Sequence, residues 1–490
     1  MPRRVSPASR LTVLVFSLVA LAAAGRMSAA EPDPVEGKWL GSGGPPEETV
    51  QIGLEFFRDA QGALKVKLTQ PEANYFSMEA QGPVRREGNR VELQEMGIDL
   101  ELRDGELVGV VAGPRSRVSL HRVSSLPQEA PIPDLPPGPG PKWQAQLGAA
   151  MWAAPAVWGD TAYVGTVGGV FQAVGKEGKI EWTFSAGHPI YGEALATADA
   201  VYFVCDDGAL YKLDRAKGTQ VWRYELGDAG ASRVLPHPQV YDYDYWSPKP
   251  ALADGALYVG SGDGGFHAVD EKSGARRWRF QAGARVRNGA LVDGPRVVFG
   301  AADSLVYALD RGTGKELWRR DLKAPIDTAP VALDGKVLIG NRGPGVHALA
   351  AETGEIVWRT PFWGSWVEST PVVREGVVYV GSSDLTRVSA IDGKDGRVLW
   401  RSNVFGWAWG TPLLDGGRIY IGVAGVEPYF IRHVAGVAAL DQRSGRVLWR
   451  WPYPKPQGAF VWGFASSPVK AGDSILLAGL DGTLYAFPAS

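Results

Sequence analysis

The sequence predicts an all-β molecule: an eight-bladed β-propeller preceded by a small antiparallel β-barrel or meander. Two observations carry the propeller. Seven times a glycine in a short polar turn is followed four residues later by tryptophan, in the pairs Gly178/Trp182, Gly218/Trp222, Gly274/Trp278, Gly314/Trp318, Gly354/Trp358, Gly396/Trp400 and Gly445/Trp449. Most of these tryptophans fall 39 to 42 residues apart when Trp143 is counted with them, the period of an array of small sheets. The third observation is compositional. With 63 glycines and 35 prolines in 490 residues, the chain has the supply of tight turns that many short strands require.

Residues 1–30 read as an export signal. Arg3, Arg4 and Arg10 precede an apolar run over residues 11–24, and Ser28, Ala29 and Ala30 offer small residues for cleavage. The run is shorter than the roughly 20 residues that span a bilayer, so the mature chain is expected to be soluble, without a transmembrane segment, and periplasmic or secreted; an uncleaved anchor is the alternative. Loss of four arginines takes the net charge from −2 to −6. With no basic run, nucleic acid is not expected as a partner. Cys205 is the only cysteine. No intramolecular disulfide can form, no lipoprotein cysteine stands near the cleavage site, and Cys205 itself is expected in a strand core.

Residues 31–125 contain alternating apolar and polar stretches at 50–56, 64–68, 91–93 and 107–110, separated by Gly and Asp turns. This predicts the small antiparallel β domain. Its opening Gly37-Lys38-Trp39 resembles the Gly-x-Trp start of lipocalin-like barrels. Residues 126–141 then hold seven prolines, a density that predicts an extended, semi-rigid spacer and excludes a sheet interior.

The repeats occupy 142–490. One unit runs through Val331, Ala332 and Leu333, turns at Asp334-Gly335, returns over 336–340, and continues through 345–349 to the Gly354 turn and Trp358. That is four strands joined by hairpins, with Asp-Gly as the first turn. The last unit reaches Leu484-Tyr485-Ala486-Phe487 without a tryptophan strand, whereas Lys142-Trp143-Gln144-Ala145 supplies one at the other end. The N-terminal segment is therefore expected to complete the last sheet and close a ring of eight, leaving no free edge.

The segments Val306-Tyr307-Ala308-Leu309-Asp310-Arg311-Gly312-Thr313-Gly314-Lys315-Glu316-Leu317-Trp318 and Val437-Ala438-Ala439-Leu440-Asp441-Gln442-Arg443-Ser444-Gly445-Arg446-Val447-Leu448-Trp449 resemble the quinoprotein (pyrroloquinoline quinone, PQQ) propeller repeat. The resemblance covers all of 142–490. It implies that the repeat tryptophans pack between neighbouring blades and are structural. The family divides into PQQ-dependent dehydrogenases and non-enzymatic members of BamB-like architecture, the scaffold type of outer-membrane barrel assembly. Alcohol-oxidising members clasp the cofactor with adjacent cysteines, which one cysteine cannot do, and no convincing Asp/Glu/Asn set for calcium stands out. No cofactor and no catalytic residue are therefore expected, with an atypical PQQ site as the alternative. BamB-like scaffolds are lipid-anchored, and this chain departs from them there and in its extra domain at 31–125.

The six histidines show no metal-ligand spacing. His267 and His347 occupy the place of Tyr307 in another unit and are expected in repeat cores. A less uniform set emerges when the units are aligned on the proline of the first strand, or its equivalent. The residues shortly before it are Trp152, Tyr191, Trp246, Arg287 with Asn288, Asp327, Trp366 with Glu368, Trp407 with Trp409, and Trp462 with Phe464. First strands of propellers line the central channel, so this ring is expected at one mouth. Aromatic faces with a few charges suit a flat ligand, a sugar or an extended peptide; the alternative is that they plug the channel. Segments 241–245 and 362–363 add further aromatics. Two insertions, 227–247 and 423–435, break the period, and the second is suited either to partner contact or to folding back as a lid. The expected function is a monomeric, exported, non-enzymatic scaffold that docks a protein or polymer through one propeller face, with a role in envelope or outer-membrane protein assembly. A quinoprotein-like dehydrogenase and a carbohydrate-binding sensor are the alternatives.

Overall fold

The computed structural model describes residues 33–43, 49–80, 82–93, 97–111, 117–227, 229, 233, 245, 247–343, 345–362, 365–427, 429 and 431–489. The expected export signal, Trp246 and residues 241–244 lie outside them. Among the described residues, helix is confined to short 3-10 turns such as Pro71–Ala73 and Lys176–Gly178, and no helix is long and apolar enough to cross a membrane.

Nine strands form the N-terminal sheet: β1 (Gly37–Gly43), β2 (Val50–Arg58), β3 (Leu64–Gln70), β4 (Tyr75–Glu79), β5 (Arg85–Glu87), β6 (Arg90–Leu93), β7 (Ile98–Arg103), β8 (Glu106–Val111) and β9 (Arg117–Val123). All pair antiparallel in the order β4-β3-β2-β1-β9-β8-β7-β6-β5. Consecutive strands are neighbours, as in a meander, and the first also pairs with the last, Leu40 opposite His121. The result is a curled sheet, closed as a barrel would be except between β4 and β5. Ile52, Leu54 and Phe56 of β2 are buried with Trp39, Leu100 and Leu120, as the alternation of the sequence requires. The Arg122 guanidinium lies 4.6 Å from the Trp39 ring, and a Cβ on Gly37 would meet that same guanidinium. The Gly-x-Trp opening is thus a packing arrangement, with glycine leaving room for the cation over the ring.

The remaining strands build eight blades of four strands each, with one extra strand, Val461–Gly463, added to the seventh. Blades 1 to 7 begin at Ala156, Leu195, Ala251, Leu291, Val331, Val372 and Leu413. Blade 8 combines Val469–Ala471, Ser474–Ala478 and Thr483–Pro488 with β10 (Trp143–Gln146), Trp143 facing Ala486. The ring closes as expected. Four of its first turns place both central residues at positive φ, as at Asp334 (45°) and Gly335 (72°), the two-residue hairpin geometry that matches strand twist. Second and third strands are buried almost throughout, for example Val337, Leu338 and Ile339 with Val346, Ala348 and Leu349. Cys205 is buried among them, and its thiol is pushed up to about 12 by burial.

The glycine and tryptophan of the repeat signature meet across blades. Each tryptophan lies on the turn glycine of the next blade: Trp182 on Gly218, Trp222 on Gly274, Trp278 on Gly314, Trp318 on Gly354, Trp358 on Gly396, Trp400 on Gly445, and Trp143 on Gly178. A Cβ at any of these glycines would stand 3.0 Å or less from the indole. All seven hold φ between +68° and +81°, a region only glycine enters freely. The indole N–H groups of Trp182, Trp222, Trp278, Trp318 and Trp358 donate to carbonyls of the same turns at 3.0–3.1 Å.

The proline-rich segment does more than space two domains. Blade 8 has no tryptophan turn of its own, because its outer strand comes from the N-terminal side. Gly138 takes that place under Trp449. Pro137 forms a parallel bridge with Arg450, where Gly138 N donates to Arg450 O (2.6 Å) and Arg450 N to Pro136 O (3.1 Å). The prolines contribute carbonyls only, which suits an outermost position. The N-terminal sheet also docks directly. Ala73 is fully buried in a cluster with Phe362, Val367 and Leu385 of blades 5 and 6, and Tyr75 packs against it. Asn74 bonds Thr386 and accepts from Asn403 (3.3 Å). Residues 37–490 accordingly form one unit, where the sequence predicts separate parts joined by a spacer.

Two predictions follow from the cores. Gly335→Ala meets open space and should cost only the left-handed backbone penalty, about 1 kcal/mol. Gly354→Ala adds a collision with Trp318, its Cβ 2.5 Å from the ring, and should lose a further 1–3 kcal/mol or so; calorimetric melting of the two variants compares them directly. His267 and His347 are buried as expected, and burial first, then neighbouring Arg279 or Arg359, pushes each imidazole down to about 4. Their folded pKa lies below the unfolded value near 6.5. The stability they confer is therefore complete above about pH 6.5 and lost as pH falls toward 4, on the order of 3 kcal/mol per histidine at most. The double variant His267→Gln, His347→Gln should show a flatter melting temperature across that window than the parent.

Candidate functional site

The innermost strands abut around the axis, and the segments leading into them converge at one end of the channel. Their positions are set by glycines that end the second strands. Ile326 occupies the space a Cβ on Gly300 would take, and Val367 does the same at Gly340. Asp327 and Glu368, each next in sequence, are thereby delivered to the channel. Thr328 Oγ1 bridges Gly340 N and O at 3.0 and 2.8 Å, and Ser466 does likewise at Ala478.

A cavity of about 400 Å³ opens there, lined by Trp152, Tyr191, Arg287, Asn288, Asp327, Glu368 and Trp409, with Glu193 and Lys249. Four other described members of the sequence-derived ring, Trp366, Trp407, Trp462 and Phe464, do not line it. Trp246 lies outside the described residues. Trp462 packs into blade 7, on Gly425, because Val461–Gly463 forms an extra strand against Arg418–Val426; Phe464 is buried beside it. Trp366 stands outside the cavity and is 39% exposed.

Most of the mouth aromatics are spent on one another. Trp152 stacks on Tyr245 with centroids 3.6 Å apart and planes 7° from parallel, and its ring lies 6.3 Å from that of Trp409. Trp409 in turn stacks on Trp407 at 4.4 Å. The 423–435 insertion folds back over this stack: Tyr429 and His433 pack on Trp407, and Ile431 is buried. Asp384 ties the group together, its Oδ1 accepting from Trp407 Nε1 (3.0 Å) and Tyr429 OH (2.9 Å). Burial, with the Asp384 charge adding to it, raises the Tyr75 hydroxyl far above its ordinary range, so the docked N-terminal sheet reaches the same hub. Of the 227–247 insertion, Arg233 clasps Asp206 (Nε to Oδ2, 2.5 Å) and lies 4.2 Å from the Tyr191 ring.

The charges at the mouth are organised around a residue outside the sequence-derived ring. Arg342 holds Asp327 (2.5 Å) and Glu368 (3.0 Å) at once, all three largely buried, and its guanidinium lies 4.8 Å from the Trp366 ring. Lys249 and Glu193 pair at 2.6 Å. Arg342 and Asp384 sit in loops between second and third strands, whereas the alignment that found the ring followed only the residues before first strands. In an up-and-down blade both sets of loops emerge at the same end. Scanning the second set would have supplied the missing partners.

This arrangement does not fit a quinone cofactor held by a cation. Asp327 and Glu368 are paired with Arg342 and Glu193 with Lys249, and Trp152 is stacked on Tyr245. Arg342→Ala would remove the cation shared by two desolvated carboxylates and should lower stability by about 3–5 kcal/mol, read as a fall in melting temperature with loss of the ordered Trp366 environment by fluorescence.

The sequence profile described as outer membrane protein assembly factor BamB matches residues 139–243, 242–310 and 302–490. The outer membrane protein assembly factor BamB of Yersinia pestis is 28% identical over 162 residues, 32% of this chain and 39% of that protein; the match thus spans about two fifths of that relative. Among solved structures, BamB from Moraxella catarrhalis superposes with a TM-score of 0.54 at 20% identity, over 71% of this chain and 96% of that one. Quinohemoprotein alcohol dehydrogenase from Comamonas testosteroni gives 0.54 at 14% identity, over 72% and 76%. At these identities the superpositions speak for the fold alone. The profile covers the whole ring of blades, and the chain belongs to the BamB family of PQQ-like repeat propellers.

Proposed function

We propose that the chain is a non-enzymatic scaffold of the bacterial envelope that docks a protein partner at the channel-mouth face, in the service of outer-membrane protein assembly. The observation that carries this reading is the presentation of Trp366. Among the described residues it is the mouth aromatic left exposed, and it is backed by a guanidinium that two buried carboxylates hold in place. Tryptophan and arginine held rigidly in this way are the residue types that dominate protein interfaces. The N-terminal sheet docks beside it on blades 5 and 6, which enlarges the face a partner would meet. The family membership supports the assembly role, and the apolar run at residues 11–24 supports export.

Deletion of the gene in its host should lower the amount of folded outer-membrane β-barrel protein, measured by heat-modifiable gel mobility. The wild-type gene should restore it. Trp366→Ala should be exported and folded yet restore little, as loss of a hot spot worth about 2 kcal/mol or more predicts. Unchanged barrel levels after deletion would sink the assembly role. Native mass spectrometry of the protein from its own envelope supplies the second check: a retained quinone would replace the scaffold reading with the dehydrogenase one.

A further inference from the structure

The end of the ring opposite the mouth carries the hairpins between first and second strands and those between third and fourth. Two neighbouring sets of these turns are built alike. Arg215 of blade 2 and Arg311 of blade 4 each follow the third strand directly. Each accepts at its backbone O from the indole of the preceding blade, Trp182 and Trp278, at 3.0 Å. Each donates from its backbone N into the first turn of its own blade, to Asp199 O (3.0 Å) and Pro295 O (2.8 Å).

The two guanidinium groups differ in one respect. Arg311 reaches back to the first turn of blade 3, where its Nη2 pairs with Asp254 at 2.5 Å. In blade 1 the matching turn holds no acid at that place. Trp158 faces Thr161 across its hairpin as Ala253 faces Ala256, so Gly159 stands where Asp254 does, at φ 60° against 47°. Arg215 is nevertheless held firmly. Its Nε donates to Ala198 O (2.8 Å) and its Nη1 to Tyr163 OH (3.1 Å), and the guanidinium lies 5.8 Å from the Trp158 ring. Among the described residues no carboxylate pairs with it, and Nη2 is left over. Asp199 meets it only through its carbonyl, Asp214 Oδ1 accepts from Ala216 N and Lys217 N, and Asp160 Oδ1 faces Gly472 of blade 8.

The space for the missing acid is open, because a Cβ on Gly159 would meet nothing within 4 Å. Beside it Trp158 is 42% exposed, and no other first strand of a blade ends in an aromatic residue. A fixed guanidinium next to an exposed indole combines carboxylate recognition with the residue types that anchor protein interfaces. A small free anion would use Arg215 alone. A protein segment with an acid beside an apolar side chain uses both.

We propose that this end of the ring is a second docking site, where a partner protein places an Asp or Glu carboxylate on Arg215, in the position left by Gly159, and lays an adjacent apolar side chain on Trp158. The site shares no residue with the Trp366 face and does not rest on that reading.

Panning a displayed library of random peptides against the full chain tests it. Enriched peptides should share an Asp or Glu next to an apolar residue, and a synthetic copy of the strongest should bind saturably in titration calorimetry. Arg215→Gln should weaken that peptide about tenfold, as loss of a charge-assisted hydrogen bond implies. The double variant Gly159→Asp, Asp160→Gly copies the Asp254-Gly255 turn beside Arg215. It should weaken binding as much by filling the position from within, and it stands in if Arg215→Gln fails to fold. Trp366→Ala should leave the affinity unchanged. Failure to enrich any peptide overturns the proposal, as does enrichment of peptides without an acid. Binding that survives both variants, or that is lost with Trp366 in place of Arg215, overturns it too.

Discussion

An indole lying on the α-carbon of a glycine in the next blade is the contact on which the rest of this molecule depends. It makes two demands at once. The glycine must accept a left-handed turn, and it must lack a Cβ, because the tryptophan of the preceding blade occupies that space. Aromatic surface of this size supplies much of the attraction between blades, and the indole N–H adds a directional bond to the same turn in five of them. Each blade is thereby indexed on its neighbour by one residue pair. The pair repeats around the whole ring, including the position where Gly138 of the proline-rich segment replaces a missing turn. Blade 8 is thus completed twice from the N-terminal side, by β10 within its sheet and by Gly138 at its flank.

That indexing also explains the mouth. Once blades are locked in register, the glycine that ends the second strand in five blades (Gly165, Gly260, Gly300, Gly340 and Gly381) receives an apolar residue from the segment leading into the next blade. The residue that follows is then directed to the axis. The scaffold is regular and the delivered residues are not: Tyr191, Arg287, Asp327, Glu368 and Trp409 differ from blade to blade while their supports repeat. Variation on a constant support is how a propeller separates specificity from stability. The mouth then divides into two regions of different chemistry. Outside, Trp366 is held open on Arg342. Inside, Arg342 pairs with Asp327 and Glu368, Lys249 pairs with Glu193, and the aromatic rings stack on one another.

Much of the fold was legible because its determinants are local and periodic. Turn glycines, Asp-Gly hairpins, alternating strands and the unmatched Trp143 strand each state their geometry within a few residues, and together they predict eight blades and the closure. The N-terminal sheet was legible as antiparallel from the alternation at 50–56 and 64–68. The pairing of β1 with β9, however, joins residues some eighty positions apart and leaves no mark in either strand alone. The role of the proline-rich segment was hidden for a related reason. Proline density shows that a segment is extended, but not that Gly138 will be needed beneath Trp449.

The sequence by itself determined the blade number, the four-strand order within a blade and the closure of the ring, since these follow from repeat spacing and turn chemistry. Only the tertiary structure decided what the residues at the channel mouth do to one another. Trp152 and Trp409 are consumed by stacking, Trp462 is drawn into an extra strand, Asp327 and Glu368 are neutralised by Arg342, and Trp366 is left exposed. Side-chain partners across a ring come from different blades and loops, at separations that no local pattern records, so which groups are satisfied and which remain available is a property of the closed ring.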